Sequence, residues 1–319
     1  MTYPDITRPT VVGTKEIIMR VFVTGASGWI GSAVVEELVG AGHQVVGLAR
    51  SDESAAAVEA AGAEVLRGSL DDLDSLRSGA ADADAVIHLA FKHDFSAFEE
   101  SGRTERAAIE ALGDVLEGTD KPLLFASGVA MLAPGTVATE DDASPFSGSE
   151  SPRGGAENLA LSYVDRGIRP VSLRFAPTVH GEGDHGFMAV LASTAKEKGV
   201  SGYIGDGSSR WPAANRLDVA HMIVLALDKA PAGSRVHGVA EEGVTTKEIA
   251  EAIGRQLDVP VESIAPEDAA EHFGWIGAFF GIDMPASSDA TQDLLGWTPT
   301  HATLLEDLEA GHYTRHLSA

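Results

Sequence analysis

The run Thr24-Gly25-Ala26-Ser27-Gly28-Trp29-Ile30-Gly31 constrains this chain more than any other stretch. It follows Val21-Phe22-Val23, a short apolar run that reads as a strand. It opens an amphipathic segment, Ile30 to Val39, with Val34 and Leu38 one helical turn apart. Strand, glycine turn and helix together form the geometry that holds a pyrophosphate. Gly25 permits the tight turn. Gly28 lets the backbone approach the phosphates with no Cβ in the way. Gly31 lets the helix lie close to the strand, and Ser27, Trp29 and Ile30 complete the binding turn. The helix N-terminus then offers N–H donors and the positive end of its dipole. A bare three-glycine match carries little, but this one has a strand before it and a helix after it, so dinucleotide binding is expected.

The rest of the first half alternates strand and helix patterns. Strands are expected at Gln44 to Ala49, Ala63 to Leu66, Ala85 to Ala90, Pro122 to Ser127 and Pro170 to Phe175. Helices are expected at Glu53 to Ala61, around Leu73 to Arg77, at Thr104 to Leu116 and at Gly155 to Arg166. Continuous apolar runs between helices imply a parallel sheet covered on both faces. Right-handed crossovers then give an α/β, doubly wound Rossmann sheet. Past Pro177 the pattern loosens: His180 to Gly186 and Gly202 to Pro212 read as loops. A helix over Leu217 to Leu227, a strand over Val236 to Val239 and a helix over Thr246 to Leu257, capped by Thr245 or Thr246, follow. The expected organisation is a loose extension over 1–18, a dinucleotide-binding domain over 19–180 to which 212–240 returns, and a smaller discontinuous substrate lobe over 181–211 and 241–319. The extension is expected to be dispensable.

Charge narrows the partners. With 48 acidic and 23 basic residues the formal charge is −25, a field that repels nucleic acid and anionic membrane. No apolar run approaches the 18 residues of a membrane span. The absence of cysteine excludes disulfides, thiolate catalysis and Cys-ligated zinc, and a reducing cytoplasm is the simplest setting. A small-molecule substrate and a monomer or homodimer are expected.

The glycine spacing, Gly-x-x-Gly-x-x-Gly after Thr24, resembles the short-chain dehydrogenase/reductase superfamily in its extended and atypical branches. Further resemblance runs from about Met19 to Tyr313 and includes Leu295-Gly296-Trp297-Thr298-Pro299, similar to the C-terminal lobe of extended reductases and epimerases. The resemblance implies that Ser69 and Leu70 contact adenine, that Leu89, Ala90 and Phe91 flank ribose and nicotinamide, and that Pro177, Thr178 and Val179 meet the nicotinamide amide. At the end of the second strand, where an acidic residue selects NAD(H), stand Ala49, Arg50 and Ser51. A guanidinium and a hydroxyl suit a 2′-phosphate, so NADP(H) is expected, with Asp52 and Glu53 leaving NAD(H) open.

The catalytic centre departs from the resemblance. The superfamily pairs a Ser or Thr after the fifth strand with Tyr-x-x-x-Lys on the next helix. The residues four past Tyr3, Tyr163, Tyr203 and Tyr313 are Thr7, Gly167, Gly207 and Leu317. Aligned through Glu157, Ser149 takes the Tyr position and Arg153 the Lys position, while Gly128 stands at or beside the expected Ser, with Ser127 before it. This resembles an atypical subgroup in which His-x-x-x-Arg replaces Tyr-x-x-x-Lys. Arg153 can hold an oxygen but stays protonated, so it is an electrophile and no proton shuttle. His93, between Lys92 and Asp94 after the fourth strand, is the candidate proton donor. His88 reads as a hydrogen-bonded core residue and Asp218 as a cap or structural partner. The spacing of His180, Glu182, Asp184 and His185 fits no standard zinc or calcium pattern, so no metal is expected.

These residues suggest an NADP(H)-dependent oxidoreductase acting on a carbonyl or alcohol. The alternatives are a non-catalytic NADP-binding sensor or scaffold and a sugar-nucleotide epimerase or dehydratase.

Overall fold

The computed structural model describes residues 18–92 and 98–317. The N-terminal extension up to residue 17, and His93 with Asp94, lie outside the described residues. The first half runs β1 (Arg20–Thr24), α1 (Trp29–Gly40), β2 (Gln44–Ala49), α2 (Asp52–Ala60), β3 (Glu64–Arg67), α3 (Leu73–Ala81), β4 (Ala85–His88), α4 (Phe98–Leu116), β5 (Pro122–Gly128), α5 (Ala156–Leu161) and β6 (Arg169–Phe175). Then follow β7 (Thr178–His180), α6 (Phe187–Lys198), β8 (Ser201–Ile204), β9 (Arg210–Asn215), α7 (Arg216–Lys229), β10 (Ser234–Gly238), β11 (Glu241–Thr245), α8 (Thr246–Leu257) and β12 (Val261–Ile264).

Seven strands form one parallel sheet in the order β10-β6-β5-β4-β1-β2-β3. The order reverses between β1 and β4, and ligands of such sheets bind at the carboxyl edge of that switch point. Side chains alternate across the sheet. Val21, Val23, Ile87 and Leu173 pack under α1 and α7, while Phe22, Val86, Leu123 and Phe125 pack under α3 and α4. Burial on both faces is why these strands read as continuous apolar runs.

The second lobe holds a three-stranded sheet, β11-β9-β7, and the parallel pair β8-β12. Its core gathers Leu191, Trp211, Ile249, Phe273, Phe280 and Tyr313. Three expectations change here. Gly202 to Pro212 is no single loop, since it contains β8 and the start of β9. Pro212 is tolerated inside β9 because the register shifts opposite it, between Glu241 and Val244. His180 ends β7, so the loop begins only at Gly181. Leu295 and Trp297 do not belong to the substrate lobe: they are buried in the core beneath the large sheet, and the Trp297 indole donates to the Asp218 carbonyl at 3.0 Å.

The helix expected over Gly155 to Arg166 is broken. A 3-10 turn (Pro152–Gly155) precedes α5, and another (Ser162–Arg166) follows it. Arg153, Gly154 and Gly155 all have left-handed backbones, with φ of 52°, 62° and 59°. A Cβ on Gly154 would sit 2.3 Å from the Gly102 carbonyl oxygen, so the turn is pressed onto α4.

Candidate active site

The turn after β1 has the geometry its glycines require. Gly25 has φ +70°, and the Gly28 N–H donates to its carbonyl at 2.9 Å. A Cβ on Gly31 would lie 2.0 Å from that same carbonyl oxygen, and one on Gly25 would lie 2.8 Å from the Ala90 nitrogen. The turn is therefore wedged between α1 and the end of β4. Thr24 fixes it from below: its carbonyl accepts from the Leu89 N–H at 3.2 Å and its hydroxyl from the Ala90 N–H at 3.2 Å. Ser27 and Gly28 are exposed. Gly28 is the N-cap of α1, and no side chain caps the helix. The first-turn N–H groups, those of Trp29 and Ile30 among them, are left for an anion. These residues fit a dinucleotide pyrophosphate.

At the adenosine end, Arg50 and Ser51 follow β2 and are exposed. The Ser51 hydroxyl is engaged, because it caps α2 by accepting from the Ser54 N–H at 3.1 Å and bonds the Ser54 hydroxyl. The sequence reading missed Arg67. It ends β3 in register with Ala49, donates to the Ser51 carbonyl and pairs with Asp52. Two guanidiniums thus stand near the end of β2, and Asp52, one of the two carboxylates that left NAD(H) open, is paired with Arg67. Ser69 and Leu70 lie past the end of β3, in the turn leading to α3, where the Ser69 hydroxyl accepts from the Asp71 N–H.

The catalytic candidates separate. Ser149 is exposed, bonds Glu150 at 3.2 Å and precedes the 3-10 turn, so it shares no helix face with Arg153. Its pairing with Arg153 does not survive, because the left-handed backbone at Arg153 breaks the helix that would have aligned them. Arg153 itself reaches the sheet edge: its guanidinium lies 4.5 Å over the Phe91 ring, and Nη2 contacts Glu105 at 3.3 Å. Glu105 is 1% exposed and also faces His88 Nε2 at 3.4 Å, whose Nδ1 lies 2.7 Å from the Thr24 hydroxyl. A buried polar chain thus runs from the glycine turn to Arg153. Ser127 and Arg153 line one recess, but the Ser127 hydroxyl donates to Glu157 at 2.8 Å. Glu157 also accepts from Ser172 and, at 2.7 Å, from Arg174 Nε. Burial lowers the Arg174 pKa, with Glu157 opposing the shift. Burial likewise pushes down the His237 imidazole, which accepts from Arg174 through Nε2 and donates through Nδ1 to the Ser287 carbonyl.

Pro177 leads from β6 into β7, and the Val179 carbonyl accepts from the Trp29 indole at 2.7 Å, tying the lobe to the start of α1. His180 is buried beyond it, with Nδ1 2.6 Å from Asp307 and Nε2 3.7 Å from Glu241. Burial disfavours its charged form, but the two carboxylates outweigh it and raise the pKa. Asp184 accepts from the Tyr313 hydroxyl at 2.9 Å, and burial raises its pKa. Asn215 caps α7, and Asp218 holds the His301 ring and the N–H groups of Thr300 and His301.

Known proteins share this architecture. A protein of Schizosaccharomyces pombe, uncharacterized protein C2A9.02, is 50% identical over 296 residues, 92% of this chain and 100% of that protein. A ketoreductase of Stigmatella aurantiaca, named for 4-hydroxy-2-methyl-3-oxo-4-farnesyl-3,4-dihydroquinoline-1-oxide, is 28% identical over 67% of this chain and 66% of its own. The dTDP-glucose 4,6-dehydratase DesIV of Streptomyces venezuelae, solved with NAD and TYD bound, superposes with a TM-score of 0.74 at 18% identity, covering 94% of this chain and 98% of that one. Residues 21–238 match one family along the whole of the large sheet, from β1 to β10: this chain belongs to the NAD dependent epimerase/dehydratase family.

Proposed function

We propose that this protein is an NADP(H)-dependent oxidoreductase interconverting a carbonyl and an alcohol on a small organic molecule. The observation that carries the reading is the position of Arg153. Its guanidinium rests on Phe91, immediately after the β4 end against which the glycine turn is packed. A nicotinamide bound at this edge donates or accepts a hydride. Arg153 orients the substrate oxygen and stabilises the negative charge that grows on it. Glu105 pairs with the guanidinium, His88 Nε2 stands 3.4 Å from Glu105, and the Thr24 hydroxyl lies 2.7 Å from His88 Nδ1. Because Arg153 keeps its proton, the proton that ends on the oxygen has another source, for which His93 is the candidate. Arg50 and Arg67 support the preference for a 2′-phosphate, as does the engagement of Asp52. The ketoreductase relative supports carbonyl chemistry.

One observation favours a second reading, a cofactor-binding sensor: the Ser127 proton is committed to Glu157, which leaves Arg153 to polarise an oxygen alone. The epimerase or dehydratase reading has structural neighbours such as DesIV behind it. The test is to titrate the protein with NADPH and NADH, then follow NADPH oxidation over a panel of aldehydes and ketones. Turnover that depends on Arg153 supports the oxidoreductase. Tight NADPH binding with no turnover across the panel points to the sensor. Conversion of a nucleotide hexose with no net NADPH consumption points to the epimerase.

A further inference from the structure

The glycine turn brings no charge of its own. Residues 24–31 contain no charged side chain, and α1 carries two glutamates but no lysine or arginine. A dinucleotide has one negative charge on each phosphate of its pyrophosphate, whereas a helix N-terminus answers with about half a positive charge. In a chain of net charge −25 the difference calls for a cation held at this spot.

Arg216 stands beside it. Arg216 is the first residue of α7, and its guanidinium lies 4.4 Å over the ring of Trp29, the first residue of α1. The two helices start at the same edge of the sheet and run the same way, since His221 Nδ1 meets Glu37 Oε1 at 2.5 Å further along both. Trp29 is held in its turn. Its indole N–H donates to the Val179 carbonyl at 2.7 Å, and a Cβ on Gly181 would lie 3.6 Å from the indole and 3.9 Å from Arg216 Cβ. Among the described residues no carboxylate lies within ion-pair distance of Arg216, whereas Arg210 and Arg255 each have one. Stacking on an aromatic face leaves the N–H groups around the rim of a guanidinium free, and two of them match two oxygens of a phosphate.

We infer that Arg216, carried on the Trp29 indole beside the glycine turn, is a ligand to the cofactor pyrophosphate and supplies the full positive charge that the turn lacks. This rests on the dinucleotide site of the reading above and not on its preference for NADP(H). Trp29 then has two parts in one site: its backbone N–H belongs to the first turn of α1, and its ring is the platform that keeps the arginine there.

The test is titration calorimetry of the full chain with three probes: NADP+, NAD+ and adenosine 2′-monophosphate, the last of which has no pyrophosphate. Arg216→Ala should weaken NADP+ and NAD+ alike, by about tenfold to a hundredfold, and leave adenosine 2′-monophosphate unchanged. Arg216→Lys, which keeps the charge but not the fork, should recover part of the loss. Trp29→Leu should weaken NADP+ in the native chain and add nothing in the Arg216→Ala chain, while Trp29→Phe, which keeps a ring under the guanidinium, should stay close to native. Arg255→Ala, which removes a positive charge from α8, should leave all three probes unchanged. Native affinity for both dinucleotides in Arg216→Ala, an equal loss for adenosine 2′-monophosphate, an equal loss in Arg255→Ala, or additive losses for Trp29→Leu and Arg216→Ala overturns the inference. If Arg216→Ala weakens both dinucleotides as expected but the native chain binds NAD+ as tightly as NADP+, the pyrophosphate ligand stands and the NADP(H) reading falls.

Discussion

Adding one methyl group at Gly31 tests whether the glycine turn is packed as tightly as the geometry says. The new Cβ would fall 2.0 Å from the Gly25 carbonyl oxygen and 2.8 Å from its carbonyl carbon, both backbone atoms that no rotamer can move. Relief requires α1 to shift away from the turn by roughly 1 Å, and overpacking of this kind costs about 1–3 kcal/mol. Alanine returns up to about 1 kcal/mol of helix propensity, which cannot offset a clash this short. A net loss of about 2 kcal/mol corresponds to roughly 3 °C in Tm for a chain of 319 residues. Cofactor affinity should fall as well, by about tenfold or 1.4 kcal/mol, because the N–H groups of Trp29 and Ile30 move with the helix. Gly40 supplies the control on the same helix: a Cβ there meets nothing within 4 Å, so Gly40→Ala should stabilise by up to about 1 kcal/mol and leave cofactor binding alone. Thermal melts and NADPH titration of both variants read the outcome. If Gly31→Ala is as stable as the native chain, or keeps full cofactor affinity, the wedge argument is wrong.

Three other expectations follow from the site. Arg50→Asp should reverse the preference for NADPH over NADH, and Arg67→Ala should weaken NADPH alone; equal native affinity for both cofactors would sink the assignment. Arg153→Ala should lower turnover by about 10²–10³, while Ser149→Ala changes it little; loss of activity in His93→Ala but not in Arg153→Ala would move the chemistry to the loop after β4. His180 has a folded pKa raised above its unfolded value, so its contribution is complete below the unfolded pKa and fades as pH rises through the folded one. The stability gap between the native chain and His180→Asn should therefore be largest in mild acid and narrow toward alkaline pH, and denaturant melts across that range showing a constant gap would contradict it.

Most of the seven-stranded sheet was legible because its inner strands are buried on both faces and leave apolar runs such as Ala85 to Ile87. The short strands of the lobe were not: β8 contains Gly202, β9 contains Pro212, and their pairing partners are far along the chain. The glycine turn could be read residue by residue because each glycine answers a local steric demand. Arg67 could have been found by setting β2 and β3 in parallel register, which brings it beside Ala49. Glu105 gave no signal, since a glutamate within an Ala- and Arg-containing helix looks like part of a solvated face. The left-handed backbone at Arg153 is equally silent, because it is imposed by the packing of Gly154 on α4 and not by arginine itself.

The return of β10 to the large sheet has a consequence for synthesis on the ribosome. The chain leaves β6 at Phe175, builds β7, α6, β8, β9 and α7, and only then lays β10 against β6. At about 5–20 residues per second, β6 waits roughly 3–12 s with an open hydrogen-bonding edge. Leu295 and Trp297, which complete the core beneath it, emerge later still. The nucleotide-binding half thus cannot finish folding before nearly the whole polypeptide has left the exit tunnel. A fragment ending before Ser234 should be a client for chaperones and a poor starting point for a minimal cofactor-binding domain.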